Sequence, residues 1–376
     1  MNVPVVSVVM SVFNSERFLR EAVESILHQS FRDFEFIIIN DGSTDASSAI
    51  LDYYQTCDPR VRVYHQENKG LIESLNRGCA LARGKYIARM DADDISVHNR
   101  LIWQVGRMEK HSHLGLLGGA VEWVDATGKS LGIYRHPCEN QAIRMALADC
   151  SAFWHPTVLI RREVLFSVGG YRRVVVDAED YDLWLRIAER FDLANLHAVV
   201  LKYRIHPGQV SERKCEQQAL SSLAVRSAAR LRMKGNPDPL DSIAEVTPEV
   251  LEKLGVTQAA QRNALARHWL TRIRNMYEIG EFMVARASLD NLRSYSLKNA
   301  ESWVVNDLRL LEARFLWKER RFVKSVFIVT RVVIARPVIL GRPAKRFLER
   351  VLLAWRAKQE VCQGELAESR APEIVP

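Results

Sequence analysis

Three carboxylates fall within four residues at Asp91-Ala92-Asp93-Asp94, directly after the apolar run Tyr86-Ile87-Ala88-Arg89-Met90. Like charges at that density repel one another and cost stability unless a cation or a set of donors answers them. Hard divalent cations such as Mg2+ and Mn2+ take oxygen ligands, commonly one or two carboxylates together with substrate phosphates. One reading is therefore a metal site serving a nucleotide diphosphate. The other is an acidic turn after a strand, with Asp94 capping the next helix. A second acidic group, Asp177-Ala178-Glu179-Asp180-Tyr181-Asp182, opens the helical pattern Leu183 to Ala188. Carboxylates at a helix N-terminus are also what the helix dipole favours on its own.

The surrounding pattern says where such groups stand. Val5 to Val12 is a β-branched run suited to a buried parallel strand. Phe13-Asn14-Ser15 breaks it, and Phe18, Leu19, Ala22, Val23, Ile26 and Leu27 then share one helical face. Further strands are expected at Phe34 to Asn40, Val61 to His65 and Tyr86 to Met90, with helices between them. Gly42 allows a tight turn after Asp41, and Ser43 or Thr44 can cap the helix that follows. This alternation predicts an α/β fold, a Rossmann-like and mostly parallel sheet with helices on both faces. Ligands of such sheets bind beyond the carboxyl ends of the strands, where Asp41 and Asp91 to Asp94 fall.

After a helix over Asn99 to Lys110, strands are expected at Leu114 to Val124, Ser130 to Tyr134, Thr157 to Ile160 and Ala198 to Ile205. From about Ser211 onward the patterning is helical. The expected division is 1–210 for the α/β domain, 211–360 for a helical C-terminal region, basic and apolar toward its end, and 361–376 for a disordered tail.

Length and composition, 376 residues with 48% hydrophobic and 26% charged, suit a folded domain with a smaller companion. Six scattered cysteines without a Cys-x-x-Cys pair argue against a zinc site or a disulfide scaffold, and fit a reducing compartment. The N-terminus lacks the basic region of a secretory signal, and no run is long enough for a spanning helix. A cytoplasmic protein is expected. The net charge of +8 is concentrated between Arg314 and Lys358, where thirteen cations face only Glu319 and Glu349. Cations interleaved with Phe, Val, Ile and Trp suit an interfacial helix on anionic lipid, so peripheral contact with the cytoplasmic membrane face is expected. The charge comes without a nucleic-acid-binding module, and nucleic acid is not an expected partner.

Taken together, Ser7 to Asn14, Asn40 to Asp45, Asn68-Lys69-Gly70, Arg89 to Asp94 and Glu179 to Trp184 resemble the inverting family 2 glycosyltransferases, which have the type A nucleotide-sugar-binding fold. The resemblance covers roughly residues 3 to 210, and its force lies in the order and spacing of motifs that are weak singly. It implies that Ser11, Asn14 and Asp41 line the nucleotide pocket, that Lys69 meets the base or a phosphate, and that Asp91 contacts the ribose or the metal's waters. Asp93 is implied as the direct ligand of a divalent cation (Mn2+ or Mg2+), with Asp91 beside it and His206 on the metal or diphosphate. Asp180 is implied as the base on the acceptor hydroxyl, with Glu179 supporting it. A UDP-sugar is the expected donor, and a cell-surface glycan or its lipid-linked precursor the expected acceptor.

One segment departs from the family, Tyr171-Arg172-Arg173-Val174-Val175-Val176, where acidic or small residues are usual. Arg172 and Arg173 read either as contacts to an acidic acceptor or as a basic surface loop. Trp154-His155-Pro156 reads as acceptor-side lining or core, and Trp184 as core. Two rivals stand beside the transferase. A sugar nucleotidyltransferase would want a Gly-rich basic loop after the first strand, which Ser11 to Arg17 is not. A non-catalytic scaffold would have lost one of the acidic groups, and both are intact.

Overall fold

Strand β1 (Val6–Val12) is almost wholly buried, as its β-branched composition requires of a central strand. It lies between β2 (Phe34–Asp41) and β4 (Tyr86–Met90), parallel to both, with Val6 opposite Phe34 and Tyr86. β3 (Val61–Gln66) adds parallel to β2. Because these strands run the same way and start in register, their carboxyl ends emerge at one edge, carrying Asn14, Asp41 and Asp91 together. Helices α1 (Glu16–Leu27), α2 (Ser47–Cys57) and α3 (Leu71–Leu81) are the crossovers. On α1, Leu19, Ala22, Val23 and Ile26 are fully buried, the i, i+3, i+4, i+7 stripe read from the sequence. Full burial of one such Leu or Ile stabilises by about 1.5–3 kcal/mol.

The computed structural model describes residues 3–206, 215–294 and 302–335. The expected tail 361–376, the end of the basic stretch and the loop after His206 lie outside the described residues. Two compact units divide the chain, Met1–Tyr295 and Ser296–Pro376.

The second half of the sheet is mixed rather than parallel. β5 (Ile95–Ser96), α4 (Arg100–Lys110), β6 (Leu114–Val124), β7 (Ser130–Tyr134), α5 (Asn140–Leu147), β8 (Leu159–Arg161), α6 (Arg162–Ser167), α7 (Glu179–Ala188) and β9 (Asp192–Arg204) follow in order. Among the described residues the sheet has nine strands in the order β3-β2-β1-β4-β8-β6-β9-β5, with β7 on β6. β8 is antiparallel to β4 and β6, while β9 is parallel to β6. The strand expected over Thr157 to Ile160 begins with a 3-10 turn at His155–Thr157, and the last strand reaches back to Asp192. β5, two residues long, has no sequence signature. It exists because Ile95 and Ser96 pair antiparallel with Lys202 and Leu201.

In the same unit, α8 (Cys215–Met233), α9 (Pro248–Lys253), α10 (Gln258–Glu278) and α11 (Phe282–Ser294) are helical as expected. Leu223, Ala224, Val225 and Ala228 of α8 join Leu183, Trp184 and Ile187 of α7 in one apolar core, so Trp184 is core as read. The second unit contributes α12 (Ser302–Lys318) and α13 (Phe322–Ala335).

Candidate active site at the carboxyl edge of the sheet

The two-residue pairing of β5 with β9 does the assembling. It sets the turn Asp91 to Asp94 against the end of β9, and the Arg204 N–H donates to Asp94 Oδ1 at 2.8 Å. Arg204 Nε donates to the Asp93 carbonyl at 2.8 Å, and its guanidinium also pairs with Glu21 and lies 4.4 Å from the Phe18 ring centre. His206 Nε2 then stands 3.0 Å from Asp93 Oδ2, with its ring 5.1 Å from that of Phe18.

Asp91, Asp93 and Asp94 each present one oxygen, all within 4.8 Å of one another. Asp94 does not cap the next helix, as the plainer sequence reading would have it; α4 begins at Arg100 after Asn99. It is fully buried instead, and its Oδ2 has no hydrogen-bond partner among the described residues. Burial, together with the charges of Asp93 and Asp91, pushes the Asp94 carboxyl well above the ordinary range. An orphaned buried oxygen beside two more carboxylates is the donor set a hard divalent cation takes, and the residues fit one.

Arg89 had no role in the sequence reading. It lies on β4 with Ile87, on the face opposite Tyr86, Ala88 and Met90, and is 4% exposed. It forms an ion pair with Asp91 and feels the charge of Asp94. Its own charge also acts on Glu179 and Asp180, lowering both. A lone cation inside an apolar strand, two residues before a carboxylate on the same face, was the available signal.

Glu179 and Asp180 open α7. Glu179 is buried, and that burial, with Asp180 beside it, pushes its carboxyl up to about 8. Burial raises Asp180 less, to about 6, because the Tyr181 N–H, 2.6 Å from Asp180 Oδ1, and Arg89 oppose the shift. Burial thus raises both carboxyls, Glu179 further than Asp180, which is the direction in which Glu179 keeps its proton to higher pH. Beneath them His155 Nε2 lies 2.9 Å from the Tyr171 hydroxyl, and burial with Arg89 nearby keeps that imidazole well below its ordinary range. Trp154 is half-buried among Trp123, His136 and Tyr203.

The residues expected on the nucleotide side meet at the ends of β1 and β2. Asp41 is buried and accepts from the N–H groups of Lys69 and Gly70, each at 2.8 Å, and from Gln66 Nε2 at 2.7 Å. It thereby draws Asn68-Lys69-Gly70 over the strand end. A Cβ on Gly42 would stand 2.7 Å from the Asn68 amide nitrogen, and φ there is +73°, so that approach needs glycine. Asn14, at φ 48°, accepts from the Thr44 N–H at 2.8 Å and donates its own N–H to Ser43, tying the first loop to the second. Ser11 is half-buried at the end of β1, and the Lys69 side chain is exposed.

The family departure resolves differently for its two arginines. Arg172 is spent inside the protein, on fully buried Asp182 through Nε at 2.9 Å and on Asp238 at 2.8 Å. Arg173 is exposed and pairs with Glu73.

The profile of Glycosyl transferase family 2 matches residues 7–169. EpsE of Bacillus subtilis is 34% identical over 60% of this chain and 82% of its own length. The O-antigen biosynthesis glycosyltransferase WbnJ of Escherichia coli is 31% identical over 60% of this chain and 90% of its own. Among solved structures, a mannosyltransferase of Pyrobaculum calidifontis in complex with GDP-Man and Mn2+ superposes with a TM-score of 0.50 at 16% identity, over 91% of this chain and 89% of that one. That last likeness bears on the fold alone. With the motifs, the sheet and these relatives in agreement, the chain belongs to glycosyltransferase family 2 and is a glycosyltransferase.

Proposed function

We propose that the enzyme moves a sugar from a nucleotide diphosphate, a UDP-sugar, to an acceptor hydroxyl with inversion and with the help of a divalent cation. The observation that carries this reading is the meeting of two acidic groups at one sheet edge, Asp91, Asp93 and Asp94 on one side and Glu179 with Asp180 on the other, with Arg89 acting on both. Asp93, Asp91 and Asp94 would hold Mn2+ or Mg2+, with His206 against Asp93. When bound, the cation neutralises charge on the departing diphosphate. Asp41, Lys69, Ser11 and Asn14 form the nucleotide side. Asp180, ionised near neutral pH, takes the proton of the acceptor hydroxyl as its oxygen bonds to the anomeric carbon. The bond to the nucleotide diphosphate breaks on the opposite face. Protonated Glu179 adds no competing charge beside it.

The names of relatives such as WbnJ support an acceptor in cell-surface or lipid-linked glycan synthesis. No helix among the described residues is long and apolar enough to cross a membrane. Peripheral contact with the cytoplasmic membrane face is supported by α13, where Val323 is 85% and Phe327 61% exposed.

A thermal-shift panel of UDP, GDP, dTDP and CMP with Mn2+, with Mg2+ and with EDTA tests the reading. A ligand bound only by the native state raises its stability by mass action. Stabilisation by UDP only with metal is expected. Equal stabilisation in EDTA would remove the metal, and stabilisation by another nucleotide instead would change the donor.

A further inference from the structure

At the far end of α7 from Glu179 and Asp180, a cleft of about 490 Å³ opens between α5, α7 and α8. One helix of ten residues separates the two places by roughly 15 Å at a rise of 1.5 Å per residue. Four guanidinium groups line the cleft, those of Arg144, Arg226, Arg230 and Arg232, against the single carboxylate of Glu189. Two of them have internal work. Arg144 donates to the Ala188 carbonyl at the end of α7 and to the Phe191 carbonyl beyond it, and Arg232 pairs with Glu189 and Asp238.

Arg226 and Arg230 are the remainder. They stand four apart on α8, where like charges face each other and destabilise a helix. Arg226 Nη1 donates to the Asp149 carbonyl at 2.8 Å, but its buried Nε meets no acceptor among the described residues. Burial holds this guanidinium below its ordinary value, and Arg230 and Arg267 add to that against the opposing influence of Tyr181 and Asp149. The exposed Arg230 side chain has no hydrogen bond or ion pair among the described residues. A buried donor left unmade destabilises the fold, and an anionic oxygen in the cleft would offset that. The floor is apolar, with Leu147 and Ala188 buried and Met233 80% exposed at the rim.

We propose that this cleft binds a phosphate-bearing amphiphile, its phosphate on Arg226 and Arg230 and its apolar part along Leu147, Leu185 and Met233. Guanidinium groups suit a phosphate because their planar forks donate in pairs to its oxygens. The apolar floor distinguishes such a ligand from free phosphate, which would use the arginines alone. The two arginines that would hold the phosphate both stand on α8.

The test is calorimetric titration of the full chain with inorganic phosphate, with dihexanoyl phosphatidic acid below its micelle concentration, and with dihexanoyl phosphatidylcholine. Wild type is expected to bind the phosphatidic acid at least tenfold more tightly than either of the others. The double variant Arg226→Gln with Arg230→Gln should lose at least tenfold of that affinity while keeping its metal-dependent nucleotide thermal shift. If the double variant does not fold, Arg230→Glu, at an exposed position, carries the same expectation. Equal binding by variant and wild type, or no binding by wild type, overturns the site. Equal affinity for inorganic phosphate overturns the amphiphile, and equal affinity for the phosphatidylcholine overturns the role of the charge.

Discussion

His206 and Asp93 lie 113 residues apart in the chain and meet with Nε2 and Oδ2 3.0 Å apart. The contact exists because β5 pairs with β9, and it fixes the orientation of the one carboxylate expected to reach a cation directly. Replacing Asp93 by Asn removes that ligand from a half-exposed turn without emptying the core. We expect loss of the Mn2+-dependent thermal shift by nucleoside diphosphate, with the melting temperature of the free protein nearly unchanged. Retained metal-dependent binding would remove Asp93 as a ligand.

His206→Ala leaves the carboxylates in place but takes away the group that orients Asp93. A partner of this kind is worth about 10–100-fold in metal affinity. Titration of Mn2+ in the presence of UDP should show a loss in that range; an unchanged midpoint would make His206 a strand-end residue only.

Asp180→Asn should keep donor affinity and lower turnover by about 10²–10⁴-fold, the usual worth of a positioned base. In the wild type, kcat/KM should rise with pH through about 6 as Asp180 ionises. A variant that turns over at the wild-type rate would exclude Asp180 as the base.

Glu179 offers a stability test that does not involve turnover. Its folded carboxyl is raised from 4.5 to about 8, so the folded state favours the protonated form. The stability this contributes is fully present below 4.5 and is lost as pH rises towards 8. Glu179→Gln mimics the protonated group and should remove that loss. Melting curves should show the variant gaining on wild type across this window; a constant difference would mean that Glu179 is not held protonated.

Arg89→Met removes a buried cation while leaving its carboxylate partner. Breaking such a pair costs about 3–5 kcal/mol. Because Arg89 lowers the Asp180 carboxyl, its loss should also move the rising limb of the pH profile above 6. Arg89→Lys should restore part of both effects. A variant that is merely less stable, with an unmoved pH profile, would reduce Arg89 to a structural role.

What could be read before folding follows from local rules. β1, β2 and β4 announce themselves as short, largely apolar runs, and α1 by a stripe that recurs every three to four residues. The acidic turn was legible because strands of a parallel sheet end on a common edge, whatever lies between them. The helical character after residue 211 was likewise a matter of local periodicity.

What only the tertiary structure decided concerns groups whose state depends on distant neighbours. β5 is two residues that become a strand only against Lys202 and Leu201. Arg172 looked available to an acceptor, and Asp238, 66 residues on, consumes it. Asp94 looked like a helix cap, yet the Arg204 N–H takes one oxygen and burial isolates the other. Glu179 and Asp180 are adjacent and chemically alike; they part because Glu179 is the less exposed and Asp180 accepts the Tyr181 N–H, while Arg89 lowers both. Residue types and their spacing determined which chemistry this chain could carry. Desolvation and long-range pairing, which no local pattern encodes, decided the protonation and orientation of the groups that would perform it.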